Sequence, residues 1–212
     1  MIDAVIFDMD GTLLNTLDDL TDSVNYTLSQ FGFPIHKKDD IRNFVGNGVN
    51  LLFERALPKN IEDDIKKQCI KFFKNTYSKN MYINTKPYSG ILSMLKIIRN
   101  NYISTAIVSN KFDNAVKNLT NRYFGDLIDI SIGQSDSIST KPSTTGISKV
   151  MRELRAKKAV FVGDSDVDII TAKNANLKSI GVTWGFRDRE NLKDADYIAD
   201  TPNELLQIIR NL

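Results

Sequence analysis

The sequence predicts an α/β protein, a Rossmann-like doubly wound parallel sheet with an all-helical cap inserted after its first strand. Three observations carry this prediction. Short apolar runs alternate with amphipathic stretches along most of the 212 residues, the pattern of a parallel sheet covered on both faces. From about Asn15 to Asn84 the alternation stops and only helical periodicity remains. Polar residues recur where the apolar runs end, at the edge where open parallel sheets bind ligands.

The first strand candidate, Ala4–Asp8, is a hydrophobic run that ends in two aspartates one residue apart. Side chains at i and i+2 leave the same face of a strand. Asp8 and Asp10 therefore direct two carboxylates toward one point, and Gly11 lets the chain turn sharply. Carboxylates packed together repel and need a cation, a shared proton, or both. Turn capping is the ordinary alternative for aspartate here. A calcium loop is excluded, because Gly11 follows Asp10 directly and no glutamate occurs before Glu54.

Helical patterns follow at Leu17–Phe31, Lys38–Val45, Val49–Ala56 and Ile61–Lys79. They make a helical cap of residues 15–84 over the ligand-binding edge, with residues 1–14 and 85–212 as the core. Phe44, Phe53, Phe72 and Phe73 read as the cap's own small core. The single cysteine, Cys69, lies on an amphipathic helix and reads as buried; one cysteine forms no intrachain disulfide. With one histidine, His36, there is no basis for a structural zinc site.

The α/β pattern resumes at Pro87. Strand candidates are Ile103–Ser109, Leu127–Ile132, Ala159–Gly163 and Lys178–Val182, with a weaker one at Tyr197–Ala199. Between them fall helix candidates Ser89–Arg99, Phe112–Asn121, Gly146–Leu154, Asp166–Ala175 and Pro202–Arg210. The last opens with Thr201-Pro202-Asn203-Glu204, a capping box with proline at the first helical position.

Three of these strand or loop ends carry chemistry. Ser109 can offer a hydroxyl to an anion, beside the N–H groups of a helix start; an isolated serine there is otherwise an N-cap. Lys141, held beside Pro142, suits a fixed cation for a phosphate, or else a surface position. After Gly163 come Asp164, Asp166 and Asp168, three carboxylates in five residues. That is more than helix capping requires, and it is costly unless a metal or helix N-terminus offsets it.

Composition narrows the partners. Twenty-eight basic and 26 acidic residues give a net charge of +2. With no dominant basic tract, neither nucleic acid nor an anionic membrane is expected. No signal peptide and no membrane span is read, so the expected location is cytoplasmic. A monomer or homodimer is expected.

Asp8-Met9-Asp10-Gly11-Thr12, Ser109, Lys141 and Gly163-Asp164 with Asp168 together resemble, in order and spacing, the four motifs of the haloacid dehalogenase superfamily. The helical insert is similar to that superfamily's C1-type cap. Val45-Gly46-Asn47-Gly48, Pro87-Tyr88-Ser89-Gly90 and Ser109-Asn110-Lys111 are similar to its phosphoglycolate phosphatase subfamily. Lys141-Pro142-Ser143-Thr144 lacks a second proline found in that subfamily, and Asn15 stands where it often has aspartate.

The resemblance implies a hydrolase of small phosphorylated metabolites, with 2-phosphoglycolate as the leading substrate. Asp8 would be the nucleophile and Asp10 the acid/base. Asp8, the carbonyl of Asp10, and Asp164 would hold Mg2+. Asp168 would stand behind them, orienting Lys141 or a metal-bound water, while Ser109 and Lys141 bind phosphoryl oxygens. Thr12, Gly46, Asn47, Gly48 and Asn110 are candidates for substrate contact. Arg42 and Arg55 are weighed for the same task against being surface residues. Pyrophosphate or a sugar phosphate as substrate, a phosphomutase, a dehalogenase, and a binding module without turnover are the competing readings.

Overall fold

The computed structural model describes residues 2–212. Six strands form one sheet: β1 (Ala4–Phe7), β4 (Ser104–Phe112), β5 (Ile130–Gln134), β6 (Ala159–Gly163), β7 (Lys178–Val182) and β8 (Tyr197–Ala199). Their order is β5-β4-β1-β6-β7-β8 and every pairing is parallel. Central β1 is wholly buried, which is why it is an unbroken apolar run rather than an alternating one. Its pleat sends Val5 and Phe7 into one hydrophobic layer and Ala4 and Ile6 into the other.

Five helices cover the sheet: α5 (Ile91–Asn100), α6 (Asp113–Tyr123), α7 (Thr145–Leu154), α8 (Asp166–Asn174) and α9 (Pro202–Arg210). Apolar residues of α5, α6 and α9 pack with Val5 and Phe7. Ile147 and Val150 of α7 and Ala172 of α8 pack with Ala4 and Ile6. At α9, Thr201 accepts from the Glu204 N–H at 3.2 Å, but Glu204 Oε2 takes the N–H of Asp200 rather than Thr201. The box is thus displaced by one residue at its outer bond.

The helical stretch consists of α1 (Leu17–Gln30), α2 (Lys38–Phe44), α3 (Val49–Ala56) and α4 (Asp63–Asn80). The chain enters it from β2 (Leu14–Asn15) and leaves it through β3 (Lys86–Pro87), and these two short strands pair antiparallel. The sequence reading did not anticipate this ribbon. A second tie lies beside it. Buried Asp19 accepts from the N–H groups of Asn84 and Thr85 at 2.8 and 2.9 Å, joining α1 to the returning chain. Leu20, Phe53, Phe73 and Tyr77 belong to the same apolar cluster as Val5 and Phe7. Phe53 meets Phe73 edge to face and Phe73 stacks on Tyr77, with ring centroids 5.3 and 5.4 Å apart. Cys69 is buried as expected.

Apart from one-residue differences at the end of β1 and the start of β4, two strands differ from expectation. β4 runs three residues past Ser109, and β5 lies at Ile130–Gln134 instead of Leu127–Ile132. The two differences have one cause. β4 and β5 pair regularly to Val108↔Ile132, break register, and resume at Phe112↔Gln134. The pairing therefore carries both strands further toward the ligand-binding edge. Gly133 permits this: a Cβ there would lie 2.5 Å from Asp113 Cα.

Candidate active site

β1, β4 and β6 end side by side, and their C-terminal residues supply the polar groups of the site. Asp8 follows β1 directly, its N–H bonded to the Val162 carbonyl at 2.8 Å. Gly11 then turns the chain at φ 83°, and a Cβ at that position would lie 2.3 Å from Asp164 Oδ2. Only glycine lets the first loop approach β6 so closely. One carboxylate oxygen from each of Asp8, Asp164 and Asp168 lies within 4.8 Å of the others, and all three residues are buried.

The cation within this cluster is Lys141. Its Nζ is 2.6 Å from Asp168 Oδ1 and 2.9 Å from Asp8 Oδ1. The lysine N–H is aligned on Asp168, so Asp8 Oδ1 has an ionic neighbour but no directed hydrogen-bond donor. Asp168 is fully engaged, since its Oδ2 also accepts from the N–H and hydroxyl of Ser165 at the start of α8. Asp164 accepts from Thr12 Oγ1 at 3.1 Å and from the Phe186 N–H at 2.7 Å.

These partners shape the proton affinities. Burial pushes Asp8 up to about 6, against the pull of Lys141. Burial, reinforced by the charges of Asp168 and Asp8, pushes Asp164 up to about 7. Lys141 is held above its ordinary value because its two carboxylate partners outweigh its own desolvation. A buried trio of carboxylates with one ammonium is short of positive charge. The carboxylates of Asp8 and Asp164, side by side in this cluster, offer hard oxygen donors of the kind a divalent cation takes.

Asp10 is turned away from this trio. Its carboxylate is held by Lys111 Nζ at 2.8 and 2.9 Å and by Thr16 Oγ1 at 2.7 Å. As a metal ligand, Asp10 has only its carbonyl to offer. Asp8, Asp10, Ser109 and Asn110 share a cavity of about 60 Å³ roofed by the helical stretch.

A family model described as haloacid dehalogenase-like hydrolase matches residues 5–182. The chain belongs to the haloacid dehalogenase-like hydrolases. Relatives of this hydrolase include a phosphoglycolate phosphatase of Aquifex aeolicus, 28% identical over 98% of this chain and 96% of that one. Another, from Psychrobacter arcticus, is 32% identical over 89% of this chain and 86% of that one. A crystal structure from Lactobacillus delbrueckii subsp. bulgaricus, with a provisional phosphoglycolate phosphatase assignment, superposes with a TM-score of 0.92 at 32% identity, covering 99% of each chain.

The structure of this haloacid dehalogenase-like hydrolase brings Asp8, Asp10, Ser109, Lys141, Asp164 and Asp168 to one sheet edge. Gly46 and Gly48 line the cavity with Asp8, Asp10 and Ser109. Three expected substrate contacts are otherwise engaged. The Thr12 hydroxyl is spent on Asp164, because the Gly11 turn aims it at the end of β6. The Asn47 side chain accepts from Arg55 at 2.9 Å and is not among the cavity walls. The Asn110 amide bridges the two layers, donating to the Gly46 carbonyl at 2.8 Å and accepting from the Lys141 N–H at 2.6 Å. Arg42 bonds the Phe186 carbonyl, and Arg55 bonds the Phe44 carbonyl.

Sequence reasoning missed the loop after β7. Trp184 donates to the Thr12 carbonyl at 3.0 Å, Phe186 caps Asp164 through its N–H, and a Cβ on Gly185 would lie 2.3 Å from Asp164 Cβ. Arg187 donates to the carbonyls of Arg42 and Val45 at 2.6 Å each, clamping the end of α2. Trp184-Gly185 at a strand's C-terminal end was the available signal.

Proposed function

We propose that this hydrolase is a magnesium-dependent phosphatase of small phosphate monoesters, with 2-phosphoglycolate as substrate, acting through an aspartyl-phosphate. The observation that carries the reading is buried Asp8, whose Oδ1 lies 2.9 Å from the Lys141 ammonium and whose carboxylate shares a cluster with Asp164 and Asp168. In this scheme an Asp8 oxygen attacks phosphorus and the ester P–O bond breaks. Asp10 gives a proton to the departing oxygen. It then takes a proton from the water that attacks the acyl phosphate, releasing phosphate and restoring Asp8.

Lys141 offsets charge on the transferring oxygens, and Ser109 donates a hydrogen bond to them. Asp168 and Ser165 hold Lys141 at the place where that charge develops. Mg2+, held by Asp8, the Asp10 carbonyl and Asp164, supplies neutralising charge for the phosphate when bound. Two observations support a small leaving group. The cavity is small, about 60 Å³, and Arg187 and Asn110 hold the helical stretch against the site.

The test is phosphate release from 2-phosphoglycolate, pyrophosphate, sugar phosphates and an aryl phosphate, with magnesium and with chelator. The expected outcome is magnesium-dependent turnover that favours 2-phosphoglycolate. Turnover favouring another ester discards the substrate; turnover surviving the chelator discards the metal.

A further inference from the structure

The cavity above Asp10 contains one ammonium group that the reaction scheme leaves unused. Its walls are largely apolar, built by Leu20, Val45, Leu52, Phe73, Tyr77 and Phe112. Lys111 is the only cation among the lining residues. Its side chain is 3% exposed, and its Nζ sits 4.6 Å from the centroid of the Tyr77 ring. Lys141 points elsewhere, to Asp8 and Asp168. The arginines that sequence proximity suggested for an anionic substrate, Arg42 and Arg55, are spent on main-chain carbonyls and do not line the cavity.

We propose that Lys111 is the specificity-determining cation that binds an anionic tail on the leaving group, a carboxylate attached through one carbon to the ester oxygen. This rests on the phosphatase reading and on Asp10 as proton donor. To protonate the departing oxygen, Asp10 must touch it. Lys111 Nζ lies 2.8 and 2.9 Å from the two Asp10 oxygens. The ammonium is therefore about two hydrogen-bond lengths from the ester oxygen. A carboxylate two bonds from that oxygen falls within the same reach.

An ammonium has three N–H donors. Two of these serve the Asp10 oxygens here, and the face of Tyr77 steadies the charge without consuming a hydrogen bond. An anion entering a mostly apolar cavity is strongly disfavoured unless a charged partner waits there. Lys111 meets that need for a carboxylate, and a neutral leaving group gains nothing from it. The position follows from the extension of β4, which carries Lys111 past Ser109 on a strand instead of releasing it into a loop.

The deciding measurement is a ratio. The kcat/KM values for 2-phosphoglycolate and 2-hydroxyethyl phosphate, which differ by carboxylate against hydroxymethyl, are compared in the parent protein, Lys111→Met and Lys111→Arg. The expected result is a parent preference for the anionic ester that falls tenfold or more in Lys111→Met and is partly kept in Lys111→Arg. A lysine that serves only to position Asp10 would lower both values alike, and an unchanged ratio overturns the proposal. Calorimetry on the Asp8→Asn background gives a readout free of turnover. Binding of 2-phosphoglycolate should weaken tenfold or more when Lys111→Met is added, and equal affinity also overturns the proposal. If the parent turns over esters but not 2-phosphoglycolate, that substrate falls. Lys111 is then judged by the same ratio on 2-phosphoglycerate and glycerol 2-phosphate, and a parent without preference there overturns it too.

Discussion

At the residue scale, the informative contrast is between two aspartates that the sequence places two positions apart. Asp8 is buried in a carboxylate cluster with one oxygen left undonated, whereas Asp10 is bonded by Lys111 and Thr16. Similar residues thus receive different tasks from their surroundings. Asp8→Asn keeps the shape and removes both the proposed nucleophile and a buried charge. We expect turnover to drop by at least roughly a thousandfold while the melting temperature in chelator stays level or rises; residual activity within tenfold of the parent would reject Asp8 as nucleophile. The clustering of Asp8, Asp10, Ser109 and Asp164 was legible because each sits where an apolar run stops, a position that composition and period reveal. Phe186 was not, because it serves Asp164 through a main-chain N–H that any residue possesses. Nor was Lys111, since Ser109-Asn110-Lys111 is polar and reads as the end of a strand that in fact continues, buried, to Phe112.

At the scale of elements, three strands were legible to the residue: β6, β7 and β8 have the limits the sequence predicts. The β2–β3 ribbon was not, because two residues have no period, and its existence depends on a partner 71 positions away (Asn15↔Lys86). The clamp on α2 belongs to this scale also. Arg187 gives two charged hydrogen bonds to carbonyls at the helix's C-terminal end, and Arg42 answers with one to Phe186. Losing the Arg187 pair should favour opening by roughly 1–3 kcal/mol, an order of magnitude for hydrogen bonds from a charged group. Arg187→Ala should therefore speed amide exchange in α2 by about tenfold or more while leaving β1 amides protected, and should raise KM. Unaltered exchange in α2 would show that the apolar contacts alone hold it down.

For the whole molecule, the site is a source of instability that a metal should relieve. Asp8 and Asp164 titrate in the fold near 6 and 7, against 3.8 for the free side chain. Between about pH 4 and 7 the folded chain therefore binds more protons than the unfolded one, so stability falls as pH rises through that window. What these two groups contribute is complete below about pH 4 and lost above about pH 7. In chelator, Asp164→Asn should gain melting temperature relative to the parent as pH goes from about 5 to 8. Magnesium should stabilise the parent more at the upper end, where protons no longer compete for its ligands; a shift that is absent at both would reject the metal assignment. The topology also imposes an order of events during synthesis. Ala4 pairs with Ser104 on one side and Ala159 on the other. The apolar strand that leads to Asp8 leaves the ribosome early, yet finds its neighbours only after most of the chain has followed. Until then it is an unpaired, sticky segment of the kind that draws chaperones and misassociation, and the site at its end cannot assemble before both neighbouring strands have been made.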